Sequence, residues 1–380
     1  KRLETLGGNP HTFVYQNITS RKFTFDAKNI LAEFPPLKTS SDTTYLMMIA
    51  HYDSRYPWNL INDTVTSKGA SDDGYGLGVI LECVHQALKY RESWNQGIKV
   101  LFTDAEEVDL QGMKAAYKYN KEIFNDVGLI LNIESRGPFG PVLLFETSPR
   151  NEQLVKLYAN HARYPFAYSI MNMVYQKMPN GTDMNIVRDS IPGFNFSPIA
   201  DINHYHTDLD NIHNISETTI QNYGEQVVPI IKEYLTNTMY DDKEYLKAEE
   251  DLIYFSIPLL GMYHFTKNQY WLLNIGLCFL LLHLLMKDKN FCWKKSIRQS
   301  GIMFAVSLAL IAIGEIIAWL SSLLTGAYFQ LFGSISGISF DNAVILISIL
   351  FLVISMVLHD RKHTNTMQNL TNALTLLMII

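Results

Sequence analysis

Cysteine is scarce in this chain: it has three among 380 residues, and only Cys83 lies ahead of Tyr270. No internal disulfide can therefore staple the first two-thirds of the sequence. An excess of basic residues is also missing. With 31 Lys and Arg against 37 Asp and Glu, the formal charge is −6, and no basic stripe runs through the chain, so we expect no nucleic-acid partner. Internal repeats and low-complexity tracts are absent too, which sets aside solenoid and linker-like architectures. The most informative shortage is one of charge. Past Leu252 the residues 270–286, 301–324 and 343–358 carry almost none, and each run is about long enough to cross a hydrocarbon core of roughly 30 Å as a helix.

A fourth apolar run begins near Met367 and continues to Ile380, while the chain opens on Lys1 without an initiator Met; we read it as a piece of a longer protein. Residues 252–265 are apolar as well, but Pro258 and Gly261 break them, which suits a strand or an interfacial segment better than a span. The expected organisation is a water-soluble domain over 1–245, a linker or interfacial segment over 246–269, and an all-α transmembrane region over 270–380 of about four spans, the last truncated. Lys287, Lys289, Lys294, Lys295 and Arg298 crowd the first loop, Arg361 and Lys362 follow the third span, and 325–342 holds no Lys or Arg. Because cationic loops stay in the cytoplasm, the first domain is expected outside it, at a bacterial surface by preference or otherwise in an organelle lumen. Glu315 interrupts the second span and raises transport as a question, with a structural ion pair as the alternative. Asn-x-Ser/Thr triplets start at Asn17, Asn62, Asn180, Asn214 and Asn369.

The first domain has the pattern of an α/β fold. Residues 45–50, 98–103 and 128–133 are short apolar runs, each followed at once by a polar residue: His51, Asp104 and Glu134. Between the first two, Leu77, Leu81, Val84 and Leu88 fall at helical spacing over 76–90. Strand, helix and strand in succession predict a mostly parallel, twisted sheet flanked by helices, with the residues after the strands gathered at one edge. Those residues are His51 and Asp53, Asp72 and Asp73, Glu106 and Glu107, Glu134, and His206, Asp208 and Asp210. All are imidazoles or carboxylates, the donors that catalytic zinc accepts, and a metal pair needs a carboxylate able to bridge it. Each motif also has a plainer reading: a strand end with an Asp turn at His51, a helix cap at Asp72 and Asp73, a solvated acidic pair at Glu106 and Glu107, a surface turn at His206. A carboxylate at Glu134, ending an apolar strand, requires a partner.

Taken together and in order, these segments resemble the co-catalytic zinc aminopeptidases, a family that includes secreted bacterial leucine aminopeptidases, and most closely its membrane-bound branch similar to endoplasmic-reticulum and vacuolar metallopeptidases. The resemblance covers most of 40–240 and rests on His51-Tyr52-Asp53, Gly69-Ala70-Ser71-Asp72-Asp73-Gly74-Tyr75-Gly76, Ala105-Glu106-Glu107, Asn132-Ile133-Glu134 and Tyr205-His206-Thr207 with Asp210. It implies two zinc ions bridged by Asp72, one completed by His51 and Glu134 and the other by Glu107 and His206. It further implies that Asp53 orients His51, that Glu106 is the general base, and that Tyr205 donates a hydrogen bond to the tetrahedral intermediate. Expected substrates are peptides with a free N-terminus. Glu134 stands where many secreted relatives carry Asp, and Asp183 lacks the His that follows it in many relatives. Arg136 is read as a surface residue. The alternatives are a glutaminyl cyclase, which shares the fold and uses one zinc, and a binding ectodomain that has lost its metal ligands.

Overall fold

The computed structural model describes residues 1–20, 23–39, 43–55, 67–178 and 180–287, with isolated positions 294, 298, 301, 316, 319, 320 and 323. By its internal contacts the chain divides into two units, Lys1–Asn268 and Gln269–Ile380. In the first unit, β1 (His11–Ser20), β2 (Phe23–Phe34), β3 (Tyr45–His51), β4 (Gly97–Thr103), β5 (Val127–Ile133), β6 (Phe139–Thr147) and β7 (Gly193–Ala200) form one sheet in the order β1-β2-β4-β3-β5-β7-β6. A separate hairpin pairs β8 (Ile253–Ile257) with β9 (Gly261–Phe265), so the apolar segment broken by Pro258 is two strands. The helices are α1 (Arg2–Thr5), α2 (Gly74–Leu88), α3 (Gln111–Tyr119), α4 (Glu152–His161), α5 (Ser169–Tyr175), α6 (Met184–Val187), α7 (Glu217–Thr236) and α8 (Lys267–Lys287).

The expectation of a mostly parallel sheet needs correcting. Strands β4, β3, β5 and β7 are parallel neighbours, but β1–β2, β2–β4 and β6–β7 pair antiparallel, and the sheet is mixed. The reason is physical: a parallel strand buried on both faces reads as an unbroken apolar run, and β3, β4 and β5 are the strands buried almost throughout. The more exposed β1 gives no such signal. Alternate residues of the central strands feed two cores. Leu46, Met48 and Ala50 pack with Val79, Ile80 and Val84 of α2, Leu154 and Tyr158 of α4 and Ile230 and Tyr234 of α7. On the opposite face Met47, Ile49, Leu101 and Ile130 pack with Met113 and Ala116 of α3 and Met184 and Val187 of α6.

The buried face of α2 also differs from expectation. It presents Tyr75, Val79, Ile80, Cys83, Val84 and Ala87 to the core, with Leu77, Leu81 and Leu88 flanking it partly buried. Leucine spacing alone misses that face because small and β-branched residues make up much of it.

Among the described residues no helix is long and apolar enough to cross a membrane, so the expected all-α transmembrane region is not seen. The run 270–286 lies within α8, whose Trp271, Leu272, Phe279 and Leu280 are exposed. The later expected spans, Glu315 and the Asn62 and Asn369 triplets lie outside the described residues, apart from the isolated positions given above.

What matters for function is one edge of the sheet. Because β3, β4, β5 and β7 run parallel, their C-terminal ends emerge together: β3 ends on His51, which is paired with Thr103 of β4. Glu106 and Glu107 follow β4, Glu134 follows β5, and His206 follows β7 by six residues.

Candidate metal centre

Five of the candidate side chains converge at this edge. Asp72 belongs to the loop that leads into α2. Its neighbour Asp73 caps that helix, with its carboxylate accepting the Gly76 N–H at 2.9 Å. A Cβ on Gly76 would meet that carboxylate at 2.2 Å, which is why glycine stands there. With Asp73 turned to the helix, Asp72 is turned to the sheet edge, and its two oxygens serve different neighbours. Oδ1 lies 3.2 Å from His51 Nε2, and Oδ2 lies 3.2 Å from His206 Nε2. Glu134 Oε2 is 3.7 Å from the same His51 nitrogen, and Glu107 Oε1 is 2.8 Å from His206 Nε2. Two groups able to hold a metal result, His51–Asp72–Glu134 and Asp72–Glu107–His206, and in each the donor atoms lie within 4.8 Å of one another.

These donors suit cations better than they suit each other. Among the described residues, Asp72 Oδ2, Glu107 Oε1 and His206 Nε2 are buried and find no hydrogen bond of acceptable geometry despite their closeness. Converging lone pairs that fail to satisfy one another are costly in a protein interior. Loss of solvation pushes the Glu134 carboxyl up to about 8 against the pull of His51, raises Glu107, and with neighbouring Glu134, Asp183 and Glu107 holds Glu106 well above the carboxylate range. Burial opposes charge on the imidazoles, yet Asp72 and Glu107 raise His206 to about 9, and Asp53 and Asp72 raise His51. Asp72, which burial would raise, is held below its ordinary value by His206 and His51. Two imidazoles among that many carboxylates form a donor set chemically matched to zinc.

The surrounding residues hold this arrangement. Asp53 does more than face His51. Its backbone carbonyl is 3.0 Å from His51 Nδ1 and its carboxylate 3.5 Å, while that carboxylate accepts the Glu106 N–H at 3.0 Å and the Glu107 N–H at 3.2 Å. Ala105, just before Glu106, and His206 itself sit in the left-handed region, at φ 56 and 58, strain of a kind that tertiary contacts must maintain. Asp210 supplies part of that restraint for the His206 loop. Its buried carboxylate accepts the Ser71 N–H and hydroxyl, both at 2.7 Å, and the Asp72 N–H at 3.2 Å, clamping one donor loop onto the other. The motif contains Asp210, but no spacing rule points to this role. Asp208, by contrast, is exposed and outside the cluster.

Tyr205 stacks on the His206 ring with centroids 3.6 Å apart. Arg136 is not the surface residue expected: its guanidinium lies 5.4 Å from the Tyr205 ring, and its Nε is buried without a hydrogen-bond partner among the described residues. Asp183 is buried and accepts the Thr103 hydroxyl at the end of β4, so a polar partner holds it although no His follows it.

Comparison with known proteins supplies three findings. The model of peptidase family M28 matches residues 29–231, a range that contains every residue of the cluster. Endoplasmic reticulum metallopeptidase 1 of Homo sapiens is 29% identical over 241 residues, 62% of this chain and 24% of that protein. A vacuolar membrane protease of Candida dubliniensis is 27% identical over 208 residues, 53% of this chain and 20% of that one. The chain thus spans about a quarter of the length of these curated relatives. Among solved structures, glutaminyl cyclase of Porphyromonas gingivalis is 20% identical and aligns with TM-score 0.48 over 62% of this chain and 87% of that one.

Proposed function

From the premise that the chain belongs to peptidase family M28, we propose that it is a zinc-dependent aminopeptidase that holds two zinc ions and removes N-terminal residues from unblocked peptides. The observation that carries this reading is the division of Asp72 between two donor groups, one oxygen to each. His51, Glu134 and Asp72 would hold one ion; Glu107, His206 and Asp72 would hold the other. When bound, the zinc pair supplies Lewis acidity that polarises a peptide carbonyl and makes water a stronger acid. Glu106 takes the proton of the attacking water and returns it to the leaving amine. Asp53, by accepting both the Glu106 and Glu107 amides, keeps the base and one ligand in fixed relation. Tyr205, its phenol held well above its ordinary value by burial and by Asp72 and Glu107, stays protonated and donates to the oxyanion.

The test is metal content of the full chain together with release of free amino acids from unblocked and N-acetylated peptides. Two zincs per chain and cleavage of unblocked peptides only is the expected result. One zinc, with cyclisation of N-terminal Gln and no shortening, would replace this reading with a cyclase; no metal and no turnover would leave a binding scaffold.

The same proposal places the chain in a membrane. The exposed apolar residues of α8, the cationic residues from Lys287 to Arg298 and the compartments printed in the relatives' names support anchoring, with the peptidase unit in an organelle lumen. Nothing supports the bacterial surface preferred from sequence. Asn17 is exposed on β1, so a glycan there, removed by a glycosidase with a shift in mobility and absent in Asn17→Gln, is the expected outcome; an unmodified Asn17 in a eukaryotic secretory pathway counts against the lumen.

A further inference from the structure

Glu134 uses only one oxygen toward His51, and the other is tied to a row of polar side chains that crosses three strands. Asn132 of β5 is opposite Asn195 of β7, and Asn195 is opposite Glu146 of β6. All three are fully buried. Asn132 Nδ2 donates to Glu134 Oε1 at 3.1 Å and to Asn195 Oδ1 at 2.9 Å. Asn195 Nδ2 donates to Glu146 Oε2 at 3.0 Å and to Thr182 Oγ1 at 2.8 Å. The row ends at Arg188, whose Nη1 donates to Glu146 Oε1 and whose side chain is 24% exposed.

The polarity of this row is fixed from its outer end. An ionised carboxylate paired with Arg188 can only accept, so Asn195 must turn its NH2 group to Glu146 and its oxygen to Asn132. Asn132 must then turn its own NH2 group toward Asn195 and Glu134. That orientation leaves Asn132 Oδ1 buried without a hydrogen-bond partner among the described residues, a cost borne because only the NH2 group can serve the Asn195 oxygen and Glu134 Oε1 at once. We propose that Glu146 and Arg188 are positioning residues for Glu134: they orient the two asparagines so that an N–H holds Oε1 and leaves Oε2 facing the metal site. This inference rests on the two-zinc reading above.

Replacing Glu146 with Gln should reverse the row. Its oxygen would face Arg188, its NH2 would face Asn195, and both asparagines would turn over, presenting the Asn132 oxygen to the Glu134 carboxylate. The test is a zinc titration of the full chain against a chromophoric chelator. In Glu146→Gln, and in Arg188→Gln, where the buried Glu146 without its cation takes up a proton and can donate to Asn195, one of the two zinc affinities should fall by about 10- to 100-fold while the other stays unchanged. The double variant Glu146→Gln/Asn195→Asp should recover the lost affinity, because the carboxylate introduced in place of the Asn195 amide accepts from both neighbours and Asn132 turns back. The unaffected site serves as an internal control for folding. If both affinities fall together, if neither falls, or if the double variant is no better than Glu146→Gln, the proposal is overturned. A parent chain that takes up no zinc overturns the metal reading itself, before any variant is compared.

Discussion

The two ends of the central parallel strands are built on opposite terms. Near its N-terminal end β4 carries Lys99, buried but fully answered: its ammonium contacts Asp126 at 2.6 Å, Glu33 at 3.3 Å and the Ile123 carbonyl at 3.1 Å, and it lies over the Tyr45 ring at 4.8 Å. Close by, Tyr234 donates to Thr44 at 3.2 Å, and Thr44 donates to the Tyr240 carbonyl at 2.7 Å. At the C-terminal ends the balance is reversed. Among the described residues, Asp72 and Asp73 each leave a buried oxygen without a hydrogen bond, as do Glu107 and Asp183, and His206 leaves a buried nitrogen without one. Gln96 Oε1 apart, the first end completes its polar pairs within the fold, whereas the second withholds several, and an α/β sheet has its ligand crevice at that second end.

The sharpest way to break this comparison is to remove the residue that both donor groups share. Asp72→Asn is expected to lose zinc from both sites and to reduce peptidase activity to that of a chelator-treated control, measured by metal analysis and turnover on the same sample. Retention of one zinc at the parental affinity would mean that Asp72 is not shared. Glu106→Gln should do less. It leaves every proposed ligand in place, so zinc content should be unchanged while kcat falls by about 10²- to 10⁴-fold, the range of general acid–base catalysis. A parallel loss of zinc would make Glu106 a ligand rather than the base.

The titration of the metal-free protein separates the two ends further. Glu134 is raised to about 8, and Glu106 and Glu107 are raised as well. A carboxyl raised by burial is destabilising once pH exceeds its unfolded value, and the penalty grows until the folded group ionises. His206, raised to about 9, contributes stability below the ordinary imidazole value and loses it as pH climbs through the folded one. Both signs agree, so the melting temperature of the chelated chain should fall between about pH 5 and pH 9. Zinc should flatten or reverse that trend, because its ligands must be deprotonated. A chelated protein that grows more stable across this window would refute the picture of an overcrowded edge.

How much of this could be read from the residues follows from the same contrast. Strands β3, β4 and β5 were legible because burial on both faces leaves an unbroken apolar run; His51 and Glu134 stood out as polar residues at the ends of such runs, whereas Asp72 and His206, in loops away from them, stood out only through their motifs. The sheet edges were not legible. Pro141 in β6 and Pro198 in β7 interrupt strand patterns, and β1 is exposed along most of its length. The partners of the donors were hidden for another reason. Asp210 reaches Ser71 across 139 positions, and Asn132 reaches Asn195 across 63; such contacts depend on strand register, which local spacing does not encode.

The smallest effect should come from the satisfied end, and it tests whether the two ends are independent. Lys99→Met keeps the aliphatic stem but removes a cation whose side chain is 4% exposed. Its acceptors Asp126 and Glu33, at 39% and 43% exposure, can return to water, so the loss should stay near about 1–2 kcal/mol rather than reach the roughly 3–5 of a pair stranded in the interior. That corresponds to a fall of a few degrees in Tm. Zinc affinity, kcat and KM should all match the parent, since the partners found for Lys99 among the described residues, Asp126, Glu33, Ile123 and Tyr45, all lie away from the donor edge. If kcat or either zinc affinity falls along with Tm, polar pairing at one end of β4 governs the geometry of Glu106 and Glu107 at the other, and the sheet is not the rigid divider between the two ends that the comparison requires.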